Sequence, residues 1–519
     1  MDNKPTRTQN VAKNIVISLL CQFFNMLIQF VGRSVFVYVL GKEYLGVNGL
    51  FTNILTMLSF AELGIGSAMI FSMYKPLSTG DREKIKSIML LYKKAYRIIG
   101  FSVAGLGLCV IPFLGRIVGK TPDIPENITV LYLLFLFNSV ISYFFVYKKS
   151  IITADQKLYV VNIYQEITSF IQVCVQSAVL LLTHNYILFL VIQILCTLLN
   201  NIWTSYKADK MYPYLKEKAE PLKKEESKVI FRNVKDLALY KFGSAILNGT
   251  DNLIISTMFS VVFVGLVSNY VMITNLFTTI LGRITSSFTA SVGNLNAESK
   301  PEKQYEVFVK ILFLSVWMFG FASFGMMLFF NDVIELWLGS DYLLAPLVVF
   351  ALVLSFYVSS VQFATYTFRT TLGLFRQGRL APVLAAVVNI VFSILLGKMI
   401  GISGVFFATA ISRFFVISLI DALLIYKHGF KKNPLGYFGM YFGYLLIIVA
   451  IYFLTVFIIG FITIPGLFGL IIKVLTACLL YNGIFYIVFG RTQMFKDILN
   501  SFLSLIKNIR RKNKNSNGV

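Results

Sequence analysis

A chain of 519 residues that is 57% apolar and only 14% charged, with a strongly positive mean hydropathy, lies outside the range of soluble globular domains. A formal net charge of +23 would fit a nucleic-acid binder if the basic residues shared one face, but they stand in short clusters between apolar runs, so no nucleic-acid partner is expected. The composition selects an all-α integral membrane protein.

Apolar stretches long enough to cross about 30 Å of hydrocarbon predict about fourteen transmembrane helices, at 14–39, 46–73, 94–118, 128–147, 158–182, 185–206, 238–259, 262–288, 307–330, 343–366, 380–399, 403–426, 436–460 and 465–489. The first 13 residues are polar and basic, and the run after them lacks a small-residue cleavage site, so helix 1 is expected to stay in the mature chain. With the N-terminus inside, about 38 of the 47 basic residues fall in inner segments, at 4–13, 75–97, 148–157, 207–235, 300–310, 369–379, 427–432 and 491–514. About four (Lys42, Arg116, Lys120 and Lys398) fall outside. This is the positive-inside pattern, and it places both termini in the cytoplasm. The outer segment 331–342 carries Asp332, Glu335 and Asp341 and no basic residue.

The Lys/Glu-rich stretch 207–236, with Pro213 and Pro221, reads as a flexible cytoplasmic linker. It divides an N-terminal lobe (1–206, helices 1 to 6) from a C-terminal lobe (237–430, helices 7 to 12). Helices 13 and 14 (431–489) and a basic amphipathic cytoplasmic tail (490–519) follow. Ile85, Ile88, Met89 and Tyr92, and again Phe495, Ile498, Leu499, Phe502 and Ile506, fall at helical spacing beside Lys and Arg. They predict two helices lying on an anionic leaflet, with membrane lipids as partners; a solvated connector is the other reading.

Many transporters are built from two related halves around a central site, and an approximate repeat is visible. Gly32-Arg33 is followed by Gly46 and Glu62 at separations of 13 and 29 from Arg33; Thr250-Asp251 is followed by Gly265 and Arg283 at separations of 14 and 32 from Asp251. Charges at membrane depth are costly and are functional candidates by default. They are Arg33, Glu62, Glu166, Lys241, Asp251, Arg283, Arg413, Asp421 and Lys473. Lys241, Asp421 and Lys473 lie near predicted helix ends, where snorkelling explains them.

Arg33, Glu62, Asp251 and Arg283 give each half one cation and one anion with the signs exchanged. Two readings stand side by side. Arginines lining a cavity match the oxygens of a pyrophosphate and stay charged there, whereas Arg33 with Glu62 and Asp251 with Arg283 would form structural locks; a lock that opens to substrate would be a gate. Glu166, beside Gln165, Gln172 and Gln176, fits either a coupling-ion site for a proton or sodium ion or a structural hydrogen bond between helices. Arg413 fits a substrate contact or, more simply, a pair with a carboxylate.

The sequence has no GxxxxGK[ST] phosphate loop, GxSxG elbow or HExxH motif, and its two histidines, His184 and His428, fall in loops at opposite faces. Cys21, Cys109, Cys174, Cys196 and Cys478 are scattered in apolar segments without metal-ligand spacing. No cofactor, metal or catalytic residue is expected. The chain reads as a carrier and not an enzyme.

Several stretches resemble the polysaccharide repeat-unit flippases, a branch of the multidrug/oligosaccharidyl-lipid/polysaccharide exporter superfamily. They begin with Asn14-Ile15, Gly32-Arg33-Ser34-Val35-Phe36 and Leu40-Gly41-Lys42-Glu43-Tyr44-Leu45-Gly46, then Glu62-Leu63-Gly64-Ile65-Gly66 and Ala154-Asp155-Gln156-Lys157. Asp251-Asn252-Leu253-Ile254-Ile255-Ser256, Trp337-Leu338-Gly339, Gly378-Arg379 with Asn389, Gly401-Ile402-Ser403-Gly404-Val405 and Ala408-Thr409 continue the likeness, which covers about residues 10–430.

The resemblance implies two six-helix lobes in a V around a central cavity, working by alternating access in a bacterial cell membrane. The substrate it implies is an undecaprenyl-pyrophosphate-linked oligosaccharide, with polysaccharide assembly proteins as further partners. In the related lipid II flippases, arginines of the first helices line the cavity; Arg33 is the candidate for that role and Arg283 the second. Arg33 has few arginine companions in its lobe, a departure from the lipid II pattern. A multidrug exporter for organic cations and a membrane polysaccharide polymerase or ligase are the competing functions.

Overall fold

The protein is described by a computed structural model over residues 7–62, 65–119, 122–222, 224–298 and 300–500, with only the backbone described at some helical positions, Lys241 among them. Among the described residues every regular element is helical. Helix α1 (Arg7–Leu58) takes in the first predicted helix and the beginning of the second, 46–73. Its geometry breaks at Gly41, with φ 81° and ψ −168°, a conformation open to a residue without a Cβ. The second arm continues through a 3₁₀ turn at Ser59–Glu62 into α2 (Ile65–Thr79).

Helix α3 (Arg82–Val110) starts well before the predicted residue 94, capped by Asp81, which accepts the Lys84 N–H at 3.0 Å. Ile85, Ile88, Met89 and Tyr92 are all buried within the protein. The first predicted interfacial helix is therefore the buried beginning of a longer one: an apolar stripe identifies a covered face without saying whether lipid or protein covers it. In the second such segment Phe495 and Ile498 join the protein core, Leu499 is exposed, and Phe502 and Ile506 lie outside the described residues.

Helices α4 (Leu114–Val118), α5 (Ile128–Ala154), α6 (Leu158–Thr183) and α7 (Tyr186–Met211) follow, with Asn127 capping α5 and Asn185 capping α7 through their side-chain oxygens. The stretch expected to be a flexible linker is tied down. Tyr212 is buried and donates to Asp155 at 2.7 Å, a 3₁₀ turn occupies Pro213–Lys216, and the Glu217 carboxylate meets Lys86 at 2.9 Å. Helix α8 (Lys224–Met258) already begins within it, and Glu226 pairs with Lys84. Prolines and mixed charge mark a break in the membrane pattern, but opposite charges on a neighbouring helix decide that the break is ordered.

The remainder comprises α9 (Val261–Glu298), α10 (Pro301–Leu338), α11 (Pro346–Val361), α12 (Phe363–Thr371), α13 (Phe375–Gly378), α14 (Ala381–Ile400), α15 (Ile402–Ser412), α16 (Leu419–Leu424), α17 (Leu435–Ile459) and α18 (Gly466–Phe489). Two π-helical segments, Arg413–Ser418 and Ile425–Phe430, flank α16. Among the described residues twelve helices are long and apolar enough to cross a membrane. One of them, Cys21–Leu58, holds the Gly41 break, and α8, not among the twelve, carries the predicted helix 238–259. Outward faces carry large apolar side chains such as Phe101, Leu182, Leu479 and Ile487, as lipid contact requires. The chain is a multi-pass membrane protein.

The chain divides into two compact units, the first of Met1–Asn269, Trp337–Tyr342 and Pro382–Ile390, the second of Tyr270–Leu336, Leu343–Ala381 and Val391–Val519. In the first, α1 packs on α6, α3 on α5, and α5 on α7, while α8 lies against α1 and α2. The start of α9 belongs here because Gly46 and Gly265, the paired glycines of the sequence repeat, meet at a backbone-to-backbone crossing. A Cβ on Gly46 would strike the Val261 carbonyl, and one on Gly265 would fall 2.7 Å from the Gly46 nitrogen. In the second unit α11 packs on α15 and α17 on α18, around a core rich in aromatic rings, Phe308, Phe313, Tyr426, Tyr437 and Tyr481 among them.

Candidate functional site

Phe30, Arg33 and Ser34 stand at i, i+3 and i+4 on α1 and so share one helical face. All three are engaged there. The Arg33 guanidinium donates from Nε to the Asn269 side-chain oxygen at 3.0 Å and from Nη2 to the Ser268 hydroxyl. Ser268 in turn donates to the Gly265 carbonyl at 2.6 Å, so the close crossing of α1 and α9 sets the position of the acceptor. Trp337 donates its indole N–H to Ser34 at 2.8 Å and stacks on Phe30 with ring centroids 4.4 Å apart.

Arg33 and Glu62 are not a lock. Both partners of Arg33 are neutral, and among the described residues no carboxylate pairs with it. Glu62, in the 3₁₀ turn after α1, accepts instead from the Tyr96 hydroxyl at 2.6 Å. Tyr92 and Tyr96 stack at 5.1 Å, and Tyr92 donates to the Gly66 carbonyl at 2.8 Å. A tyrosine pair about three to four turns into α3 thus covers this turn, with Tyr96 holding the carboxylate, a partner that opposite charge does not identify.

Asp251 is half-buried on α8. Its neighbour Thr250 is buried and donates to Asn389 of α14 at 3.2 Å, joining two motifs that the sequence had placed 139 residues apart. Glu166 accepts from Asn25 of α1 at 3.0 Å, the inter-helix hydrogen bond that was one of its two readings. Of its expected polar companions, Gln172 donates to Gln176, which donates to the Phe189 carbonyl. Arg283 is exposed on α9 and belongs to the second unit, whereas Arg33, Glu62, Glu166 and Asp251 belong to the first. Arg413 is half-buried at the start of a π-helical segment. The side chain of Lys241 lies outside the described residues.

Sequence reasoning missed a second pair of charges. Asp421, read as a snorkelling residue, is fully buried, and Arg369, counted in a basic cluster, is 3% exposed; Nε and Oδ1 are 3.0 Å apart. Nothing local marks this pair, because a charge near a helix end reaches water or a partner depending on what covers it. Among the described residues no three His, Cys, Asp or Glu side chains gather as metal ligands.

No protein-family model and no curated protein matches the chain. Solved structures do. The lipid II flippase MurJ in an inward closed conformation superposes with a TM-score of 0.67 at 15% identity, over 92% of this chain and 100% of the flippase. An inward-facing multidrug resistance MATE family transporter of the MOP superfamily gives 0.64 at 16% identity, over 79% of this chain and 96% of its own. A MOP superfamily transporter from Pyrococcus furiosus, described by a reversed polarity of its binding pocket, gives 0.55 at 14% identity, over 83% and 98%. Identities this low speak for architecture alone: the chain shares the fold of MOP superfamily transporters.

Proposed function

We propose that this chain is a carrier that flips undecaprenyl-pyrophosphate-linked oligosaccharide repeat units from the cytoplasmic to the outer leaflet of a bacterial cell membrane for surface polysaccharide synthesis, by alternating access. The observation that carries the proposal is Arg33, a guanidinium inside a membrane-spanning helix whose partners, Ser268 and Asn269, are both uncharged. The present bonds of Arg33 run to neutral dipoles, whereas a pyrophosphate adds charge–charge attraction and a bidentate fit to the guanidinium. An incoming pyrophosphate therefore displaces a hydroxyl and an amide from Arg33, where it would not so readily displace a carboxylate. Arg283, exposed on α9, is the second candidate for a substrate contact.

The fold adds support. The likeness to the lipid II flippase takes in 92% of this chain, more than the 79% covered by the first multidrug transporter. Both termini face the cytoplasm in this reading, as the distribution of Lys and Arg requires. An inside-negative potential favours outward passage of the anionic head group by about 2.3 kcal/mol per charge per 100 mV. Glu62, Asp251 and Glu166 are gating or ion-coupling candidates, and Arg413 and Lys241 secondary ones.

Export of organic cations is the second reading, favoured by the likeness to the multidrug transporter. The deciding experiment is rescue of surface polysaccharide in a bacterium lacking its own repeat-unit flippase, with the wild-type chain, Arg33→Ala and Arg283→Ala at matched expression. Rescue by wild type that either substitution abolishes supports flipping. Failure with every compatible repeat unit, together with efflux of cationic dyes, transfers the case to drug export.

A further inference from the structure

Asp421 and Arg369 both lie within helices long and apolar enough to cross a membrane, and neither charge reaches water. Arg369 is built in on several sides. Its Nη1 donates to the Gly378 carbonyl at 3.3 Å, its guanidinium carbon sits 5.5 Å from the centre of the Tyr366 ring, and a Cβ on Gly378 would collide with Nη1. The end of α13 thus carries glycine where the guanidinium needs the space.

The surroundings of Asp421 are polar yet poorly bonded. Gln362 lies beside the carboxyl, but neither carboxylate oxygen accepts a well-aligned hydrogen bond; the buried hydroxyls of Tyr357, Tyr437 and Tyr441 make none, and that of Tyr426 has only Tyr305 near it. These rings form a chain, with Tyr357 to Tyr441 at 5.9 Å, Tyr441 to Tyr437 at 6.0 Å and Tyr437 to Tyr426 at 6.4 Å. Buried hydroxyls normally find partners, and orphaned ones mark sites that exchange protons or hold solvent. The helix bearing Asp421 is wound as a π-helix on both sides of it, a distortion that recurs at functional sites.

We propose that Asp421 is a proton-binding site and that Arg369 is the group its protonation releases. The inference deepens the carrier reading by naming a coupling ion and its site. A proton from the aqueous phase adds to the Asp421 carboxylate to give the neutral acid, and no other covalent bond changes. The site then holds one uncompensated guanidinium in a low-dielectric interior, which is unfavourable unless Arg369 moves toward water. Proton uptake is thereby tied to a rearrangement of α12 against α16. A sodium ion at the same carboxylate would sit beside a guanidinium of like charge, so the proton is the better ligand. Asp421 faces Arg369 on α12 and Tyr437 on α17; Tyr366 stands behind Arg369, α13 packs on α16 and carries Arg376, whose side chain lies outside the described residues, and Arg413, Tyr426 and the exposed Lys427 and His428 share the helix of Asp421.

The test uses the full chain in lipid nanodiscs and needs no transport substrate, so its failure is separable from failure of the polysaccharide rescue. Infrared difference spectra are recorded between about pH 8 and about pH 5 on wild type, Asp421→Asn and the double variant Arg369→Met/Asp421→Leu. The double variant replaces both charges at once and so folds even if the single one does not. The expected result is a carboxylic-acid carbonyl band in wild type that is missing in both variants, with amide-exchange protection across 363–371 and 413–430, taken relative to the intrinsic rate at each pH, falling several-fold on acidification in wild type alone. Superimposable wild-type and double-variant spectra overturn the proposal. So does a response of wild type to sodium in place of choline at constant pH without the carbonyl band.

Discussion

Trp337 reaches Ser34 across 303 residues of sequence, donating its indole N–H at 2.8 Å while its ring lies flat on Phe30. One turn of α1 therefore holds an aromatic stack, a hydrogen bond and the Arg33 guanidinium side by side, at the end of the helix that precedes the Gly41 break.

Removing the ring separates its two contributions. Trp337→Phe keeps the stack and loses the hydrogen bond, costing about 0.5 to 1.5 kcal/mol; Trp337→Ala loses a further stack of about 0.5 to 1.5 kcal/mol. The expected order of thermal midpoints in detergent is wild type, then Phe, then Ala. Equal midpoints for the two variants would show that the stack contributes nothing.

Arg33 has a test that does not depend on cells. A hydrogen bond to a charged group contributes about 1.5 to 3 kcal/mol, so Arg33→Ala is expected to weaken binding of an undecaprenyl pyrophosphate roughly ten- to a hundredfold. Arg33→Lys should recover only part of this, because an ammonium lacks the planar fork. Microscale thermophoresis with the pyrophosphate and, as control, undecaprenol reads the difference. Equal loss of both ligands would mean that Arg33 shapes the helix and does not bind phosphate.

The crossing at Gly46 and Gly265 tolerates no side chain. Gly46→Val and Gly265→Val are expected to abolish accumulation of folded protein, judged by fluorescence-detection size-exclusion chromatography. Gly439→Ala on α17, where an added Cβ meets nothing within 4 Å, is expected to be neutral or to stabilise by up to about 1 kcal/mol.

Asp497 supplies a pH dependence outside the membrane. The Lys310 ammonium, 2.6 Å away, and the Gln493 amide hold its carboxyl below the ordinary carboxylate range. A depressed folded-state value means that the stabilisation is complete above the unfolded value and is lost as pH falls through the folded one. Amide-exchange protection over 493–500, taken relative to the intrinsic rate at each pH, is therefore expected to fall at acid pH in wild type, and to be low and independent of pH across that window in Asp497→Asn. An unchanged profile in the variant would remove Asp497 from the docking of this segment.

Periodicity and charge by themselves determined the membrane class, most of the crossing segments and the residues worth following, because a span across lipid must be long, apolar and helical whatever it packs against. They also picked out Gly46 and Gly265 as counterparts and Glu166 as a polar position with a partner. They did not determine partners. Charge allows Arg33 to pair with Glu62 or to face a substrate, and the fold gives it Ser268 and Asn269 and gives Glu62 a tyrosine. The amphipathic start of α3 was covered by protein and not by lipid, and the stretch after α7 was ordered by Lys84 and Lys86.

Asp421 and Arg369 make the same point most sharply. Each sits near the end of an apolar run, where sequence allows a long side chain to reach water; only the tertiary arrangement of α12, α13 and α16 closes that route and turns two unremarkable charges into a buried pair. Helical propensity and hydropathy act within a few turns of chain, so they are written in the sequence. Which charge faces which is set by contacts between helices far apart along it, and there only the fold decides.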